Sequence, residues 1–156
     1  MQENGSLIKM EQLIKAKEFL NSKGIANAVT GIVLGTGLHQ LLNYVDVKQT
    51  ISYADIPGFP IVTVEFHKGN LIYGTIGGKN VLIMQGRFHA YEGYTMQQIV
   101  FPIRVMRLLG IPKLFLSNAA GGINLNFKKG DYYLLPVLKD IDEEKDLVHL
   151  QKQVYE

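Results

Sequence analysis

The sequence predicts an α/β fold built on a mixed, twisted β-sheet flanked by helices, and three observations carry that expectation. Short β-branched apolar runs alternate with stretches of helical periodicity. A Gly-Gly pair separates two of the runs and favours an antiparallel hairpin, so the sheet is mixed. Glycine-rich or polar loops follow the strand ends, where sheets of this kind place their ligands.

From Leu7 to Lys23, Leu7, Met10, Leu13, Ile14, Ala16, Phe19 and Leu20 recur at helical spacing with Lys9, Glu11, Lys15, Lys17 and Glu18 between them. This spacing predicts an amphipathic surface helix that Gly24 stops. Ala28 to Leu34 reads as a buried strand running into Gly35-Thr36-Gly37, with a helix beginning directly afterwards at Leu38. Val45 to Tyr53 alternates as a strand, and the two prolines of Ile56-Pro57-Gly58-Phe59-Pro60 demand a loop. Leu71 to Ile76 and Val81 to Gln85 flank Gly77-Gly78-Lys79-Asn80 as a hairpin.

Thr95 with Gln98 three positions later matches a capping box for a helix running to about Leu109, ended by Gly110 and kinked at Pro102, which lacks a backbone donor. Lys113 to Ser117 is a further short strand, and Asn118-Ala119-Ala120-Gly121-Gly122 forms the loop at its end. Tyr132 to Leu138 reads as one more strand, before an acidic, helical tail from Asp140 to Glu156.

The 156 residues suffice for one domain with a real core, and 47% hydrophobic against 19% charged residues is a globular balance. A net charge of +2, from 16 basic and 14 acidic side chains, gives no field for nucleic acid. With no cysteine, disulfides, thiolate catalysis and thiolate metal sites are excluded. The start MQENGSLIKMEQ lacks the features of a secretory or transit peptide, and no apolar stretch reaches spanning length. Cytoplasmic residence, outside any membrane, is therefore expected.

The segment QGRFHAYEGY, Gln85 to Tyr94, carries the most chemistry. Arg87 and His89 are one residue apart, so in an extended stretch both point to the same side and one anion meets both. The competing reading is a surface arginine paired to a carboxylate such as Glu92. Gly35-Thr36-Gly37 offers backbone N–H groups and a hydroxyl to an anion at a helix start, or is simply a tight turn that needs glycine. Asn118 to Gly122 lets a ligand approach the backbone, or lets two backbone segments pack closely. Tyr91 presents its hydroxyl to a sugar or fills core space, and His67 stands in a loop where histidines are often merely solvated. His39 and His149 show no metal-binding spacing, so no metal site is expected.

Taken together, VLGTGL at Val33 to Leu38, IPGFP at Ile56 to Pro60, MQGRFHAYEGY at Met84 to Tyr94, SNAAGGIN at Ser117 to Asn124 and Gly130-Asp131 resemble the trimeric, low-molecular-mass branch of the purine nucleoside phosphorylases. The likeness covers about Leu7 to Leu135. It implies a phosphorylase-like α/β domain over residues 1–135, corresponding to the amino-terminal half of that fold, and a divergent tail over 136–156. The later half of the family, which supplies the glutamate and asparagine that bind the purine, has no counterpart that can be assigned here.

The resemblance also implies roles. Thr36, His67, Arg87, His89 and the backbone of Ala119 would bind phosphate, with His89 catalytic. Tyr91, Asn118, Ala119 and Ala120 would contact the ribose, and Glu92 would orient its neighbours. The implied activity is phosphorolysis of purine nucleosides in purine salvage, by a homo-oligomer, trimeric in the family, with inorganic phosphate as co-substrate and no metal or organic cofactor.

Overall fold

A computed structural model describes residues 3–35, 37–60, 69–117, 126 and 128, with the backbone alone for residues 3–9. The chain divides into two units, Met1–Ala120 and Gly121–Glu156, and everything described below lies in the first. The expected strand at Tyr132 to Leu138, the tail and the boundary at 135/136 lie outside the described residues.

Among its described residues the first unit holds a mixed five-stranded sheet in the order β2-β3-β4-β1-β5. Its strands are β1 (Thr30–Val33), β2 (Asp46–Ser52), β3 (Asn70–Ile76), β4 (Lys79–Gln85) and β5 (Leu114–Leu116), with helices α1 (Glu3–Ser22) and α2 (Met96–Leu108). β1 runs parallel to β4 on one side and to β5 on the other, while β2, β3 and β4 form antiparallel pairs. The chain leaves β4, passes through α2 and returns in β5 beyond β1. That crossover brings the ends of β1, β4 and β5 side by side, although they are far apart in sequence.

Local chemistry explains most element boundaries. Gly77 and Gly78 have φ of 56° and 75°, the left-handed pair of a type I′ turn, so Lys79 and Asn80 already belong to β4 and the loop is shorter than the sequence suggests. Both helices end in the same way. Gly24 (φ 79°) donates to Asn21 O and Ile25 to Leu20 O; Gly110 (φ 80°) donates to Arg107 O and Ile111 to Met106 O. Each is a Schellman motif in which the isoleucine after the glycine is buried against the helix it closes.

The start of α2 is the expected capping box: Gln98 N donates to Thr95 Oγ1 at 3.3 Å, and Thr95 N donates to Gln98 Oε1 at 2.8 Å. Pro102 is accommodated within this helix, fully buried on its core side.

Two faces of the sheet bury different sets of residues, as period-two alternation requires. On one, Leu71, Tyr73, Leu82 and Met84 join Leu13, Ala16 and Leu20 of α1 and Phe101, Val105 and Met106 of α2. On the other, Ile72, Val81 and Ile83 meet Leu34 and the partly buried Leu41 and Leu42. Buried on both sides, β4 reads as a continuous apolar run, Val81-Leu82-Ile83-Met84.

Two expectations change. The buried stripe of α1 is narrower than the periodicity implied, since Met10 and Ile14 are 50% and 42% exposed. The helix anticipated at Leu38 is a six-residue 3₁₀ segment, His39–Tyr44, with no buried residue. It covers the second face through partial burial of Leu41 and Leu42 and has no long dipole to offer an anion.

Candidate functional site

At the end of β4 the backbone turns at Gly86 (φ 106°) and then runs extended, so that side chains alternate in direction. Phe88 goes inward and is 4% exposed, its ring between Tyr53 (centroids 5.5 Å apart) and Tyr94 (5.2 Å). Arg87 and His89 therefore share the other side. Arg87 Nε donates to His89 Nε2 at 3.2 Å, which makes Nε2 the acceptor and leaves the ring proton of a neutral imidazole on Nδ1.

The other end of the Arg87 guanidinium is held too. Its Nη1 donates to the backbone carbonyl of Ser117, just past β5, at 2.7 Å. Among the described residues Arg87 has no carboxylate partner, and the ion pair present there is Lys15–Glu11, far from this site in sequence. The pairing with Glu92 is thereby set aside, and Glu92 instead gives its backbone N–H to His89 O in a short 3₁₀ turn. These two bonds use two of the five guanidinium N–H donors, leaving the fork positioned but not consumed.

Tyr91 is 82% exposed and does not fill the core. Its ring stacks on His89 with centroids 4.7 Å apart and planes 18° from parallel, so Arg87, His89 and Tyr91 form one continuous polar and aromatic surface.

Below this surface, Tyr53 donates from its hydroxyl to the Gly86 carbonyl at 2.8 Å. Burial pushes the Tyr53 phenol far above the usual tyrosine range, so the hydroxyl stays a donor. Its ring also meets Phe59, which closes the turn Ile56-Pro57-Gly58-Phe59. With Pro57 in second place, Gly58 at φ 76° and Phe59 N donating to Ile56 O at 3.1 Å, this has the chemistry of a type II turn.

The end of β1 reaches the same place. Gly35 N donates to Ser117 Oγ at 2.8 Å, and Ser117 Oγ donates to Val33 O at 3.1 Å. Gly35 thus spends its N–H inside the protein, so of the backbone donors in Gly35-Thr36-Gly37 this one is not offered to an anion. Thr36, His67, Asn118, Ala119 and Ala120 lie outside the described residues; their neighbours Gly35, Gly37, Gly69 and Ser117 are described.

Ser117 and Tyr53 were not singled out by sequence reasoning. Ser117 begins a recognisable motif, but its contacts to Gly35 and Val33 cross 82 and 84 residues, and no local pattern encodes them. A surface cavity of about 390 Å³ lined by Phe19, Lys23, Gln49, Thr50, Ile51 and Asp55 contains none of the expected site residues. No helix among the described residues is long and apolar enough to cross a membrane.

Beside this mixed sheet with an arginine-histidine pair at the end of a central strand stands a family match: the model of the Phosphorylase superfamily covers residues 29–137, and the chain belongs to that family. Its similar relatives are more specific. Purine nucleoside phosphorylase 1 of Geobacillus stearothermophilus is 45% identical over 121 residues, 78% of this chain and 44% of that protein. The purine nucleoside phosphorylase of Bos taurus is 47% identical over 104 residues, 67% of this chain and 36% of its own length.

Among solved structures, isoform 2 of the Schistosoma mansoni purine nucleoside phosphorylase, in complex with cytosine and ribose-1-phosphate, superimposes with a TM-score of 0.72 at 43% identity. That match covers 78% of this chain and 42% of the other. The chain thus spans less than half the length of these relatives.

Proposed function

We propose that this chain carries the phosphate- and ribose-binding part of a purine nucleoside phosphorylase site. The observation that supports the reading best is the doubly anchored Arg87, held by His89 at 3.2 Å and by the Ser117 carbonyl at 2.7 Å, with no carboxylate among the described residues to neutralise it. A planar cation with donors to spare suits two oxygens of one phosphate. In this reading Thr36, His67, His89 and the Ala119 backbone complete the phosphate site, and Tyr91, Asn118, Ala119 and Ala120 face the ribose. The phosphorylase-like domain comprises residues 1–135, with 136–156 a separate tail.

The reaction is reversible phosphorolysis of a purine ribonucleoside or deoxyribonucleoside. A phosphate oxygen forms a bond to the anomeric carbon as the bond to the purine nitrogen breaks. The electron pair departs with the base, which is released as the free purine on taking up a proton, and pentose 1-phosphate remains. The sugar develops oxocarbenium charge in passing, so a phosphate dianion fixed beneath it is both nucleophile and counter-charge. Arg87 would hold that dianion, and His89, the catalytic histidine, would donate a ring N–H to a phosphate oxygen. The reaction needs inorganic phosphate as co-substrate and calls on no metal or organic cofactor. A cytoplasmic homotrimer is the proposed form.

A second reading, a phosphate- or nucleoside-binding module without turnover, is favoured by the span of less than half of the relatives' length. Inosine phosphorolysis by the purified chain, followed as hypoxanthine release, separates the two. Phosphate-dependent turnover lost in Arg87→Ala supports the enzyme, whereas thermal stabilisation by phosphate without turnover supports the module. A chain that neither turns over nor responds to phosphate sinks both.

A further inference from the structure

The β1–β5 ladder ends irregularly. In a parallel pair, a residue gives its N–H to one neighbour across the ladder and receives at its carbonyl the N–H of the residue two places further along that same neighbouring strand. Continued beyond the Val33–Leu116 pair, that pattern would have Ser117 N donate to Val33 O and Gly35 N donate to Ser117 O. The first bond is long, at 3.4 Å. In place of the second, Gly35 N donates to the Ser117 hydroxyl at 2.8 Å, and the hydroxyl passes its own proton to Val33 O at 3.1 Å. The side chain of Ser117 has taken the place of its carbonyl in the ladder, and the released carbonyl accepts Arg87 Nη1 at 2.7 Å.

Gly35 provides the room. It is not among the residues with positive φ, so its backbone conformation does not call for glycine. A Cβ at this position would stand 2.7 Å from Ser117 O, closer than real contacts allow, and a tight 3.1 Å from Ser117 Oγ. Any side chain there pushes away the carbonyl that Arg87 uses.

We propose that Ser117, in the space left by Gly35, is the positioning residue that orients Arg87 for its anion. The proposal rests on reading the Arg87–His89 pair as a phosphate site. Without the hydroxyl, the Gly35 N–H returns to the carbonyl at position 117 and competes with the guanidinium for it. Arg87 then keeps His89 alone as an anchor and samples orientations that do not present its fork.

The test uses the full chain and two readouts. In phosphate-free protein, the Arg87 Nη–H resonances, assigned by their absence in Arg87→Ala, report whether the guanidinium is held at Ser117. In a titration with inorganic phosphate, the dissociation constant reports whether the fork is presented. Ser117→Ala is expected to speed solvent exchange of the Nη–H protons and to weaken phosphate binding about tenfold each, the scale of one hydrogen bond to a charged group. The backbone amides of Leu82 and Ile83 should keep their positions, showing the sheet intact. Ser117→Thr, which keeps the hydroxyl, restores both readouts, and Gly35→Ala reproduces the loss with the hydroxyl present.

An unchanged Arg87 resonance in Ser117→Ala overturns the proposal. If the wild-type chain binds no phosphate, the phosphorylase reading fails by itself, and the Arg87 resonance still decides the role of Ser117.

Discussion

The Tyr53 hydroxyl donates to the carbonyl of Gly86 from beneath the site, at 2.8 Å, and so ties the exit of β4 to the aromatic cluster of the core. Gly86 needs its positive φ to turn the chain, and a turn of this kind is held only by what its carbonyl and amide meet. Tyr53 is 1% exposed and wedged between Phe59 and Phe88, so its hydroxyl has little freedom to leave.

Tyr53→Phe keeps the ring and removes one donor, stranding a buried carbonyl. The expected cost is about 1–2 kcal/mol of unfolding free energy, read as a lower urea midpoint at unchanged slope. A pH signature goes with it, because burial raises the phenol's pKa in the folded state. Below about pH 10 the hydroxyl is protonated in both folded and unfolded chains, and its contribution is constant. Above that, the unfolded chain ionises first, and stability falls by about 1.4 kcal/mol per pH unit. Denaturation at pH 9 and pH 11 should show this loss in the wild type and a slope smaller by one proton in Tyr53→Phe; equal slopes refute it.

Arg87→Lys preserves the charge but not the fork. An ammonium on a flexible stem cannot meet His89 Nε2 and the Ser117 carbonyl while offering two more parallel donors. Phosphate binding by calorimetry is expected to weaken about tenfold or more, with a melting temperature close to that of the wild type. Retained affinity would show that Arg87 acts through net charge alone.

Gly74 lies where β3 meets β2, opposite Val47, and a Cβ there would collide with the backbone carbonyl of Asp46 and the side chain of Val45. Backbone cannot yield as a flexible side-chain tip can. Gly74→Ala should therefore cost several times what alanine costs at the open Gly77 or Gly78 turn, of order 3 kcal/mol or more. Hydrogen exchange offers the check: β2 amides lose protection, while Leu82 and Ile83 in the sheet centre keep most of theirs.

Thr95→Ala removes the hydroxyl that accepts the Gln98 N–H and breaks one half of the capping box at the start of α2. The helix follows directly on the Arg87–Tyr94 segment, so its first turn fixes where that segment ends. A loss of about 1 kcal/mol is expected, and Thr95→Ser should recover most of it. Thermal melting of the two variants side by side measures the difference.

Much of this protein was written locally. The Gly-Ile pairs that close α1 and α2, the Thr95–Gln98 box, the Gly77-Gly78 turn and the opposed directions of Phe88 and the Arg87–His89 pair all follow from contacts within a few residues. Sequence spacing alone determines them, because helix and strand periods put those atoms together wherever the element goes. The motif segments likewise announced the family.

What only the tertiary structure decided lies between strands. The crossover through α2 placed β5 beside β1, and so brought the Ser117 carbonyl to Arg87 and the Ser117 hydroxyl to Gly35. It also decided that the Gly35 N–H faces the protein and that Tyr91 stacks on His89 in the open. The physical reason is that a ladder bond given up at one strand end is invisible until the neighbouring strand is known. Composition names the donors and acceptors; the order of the strands chooses their partners.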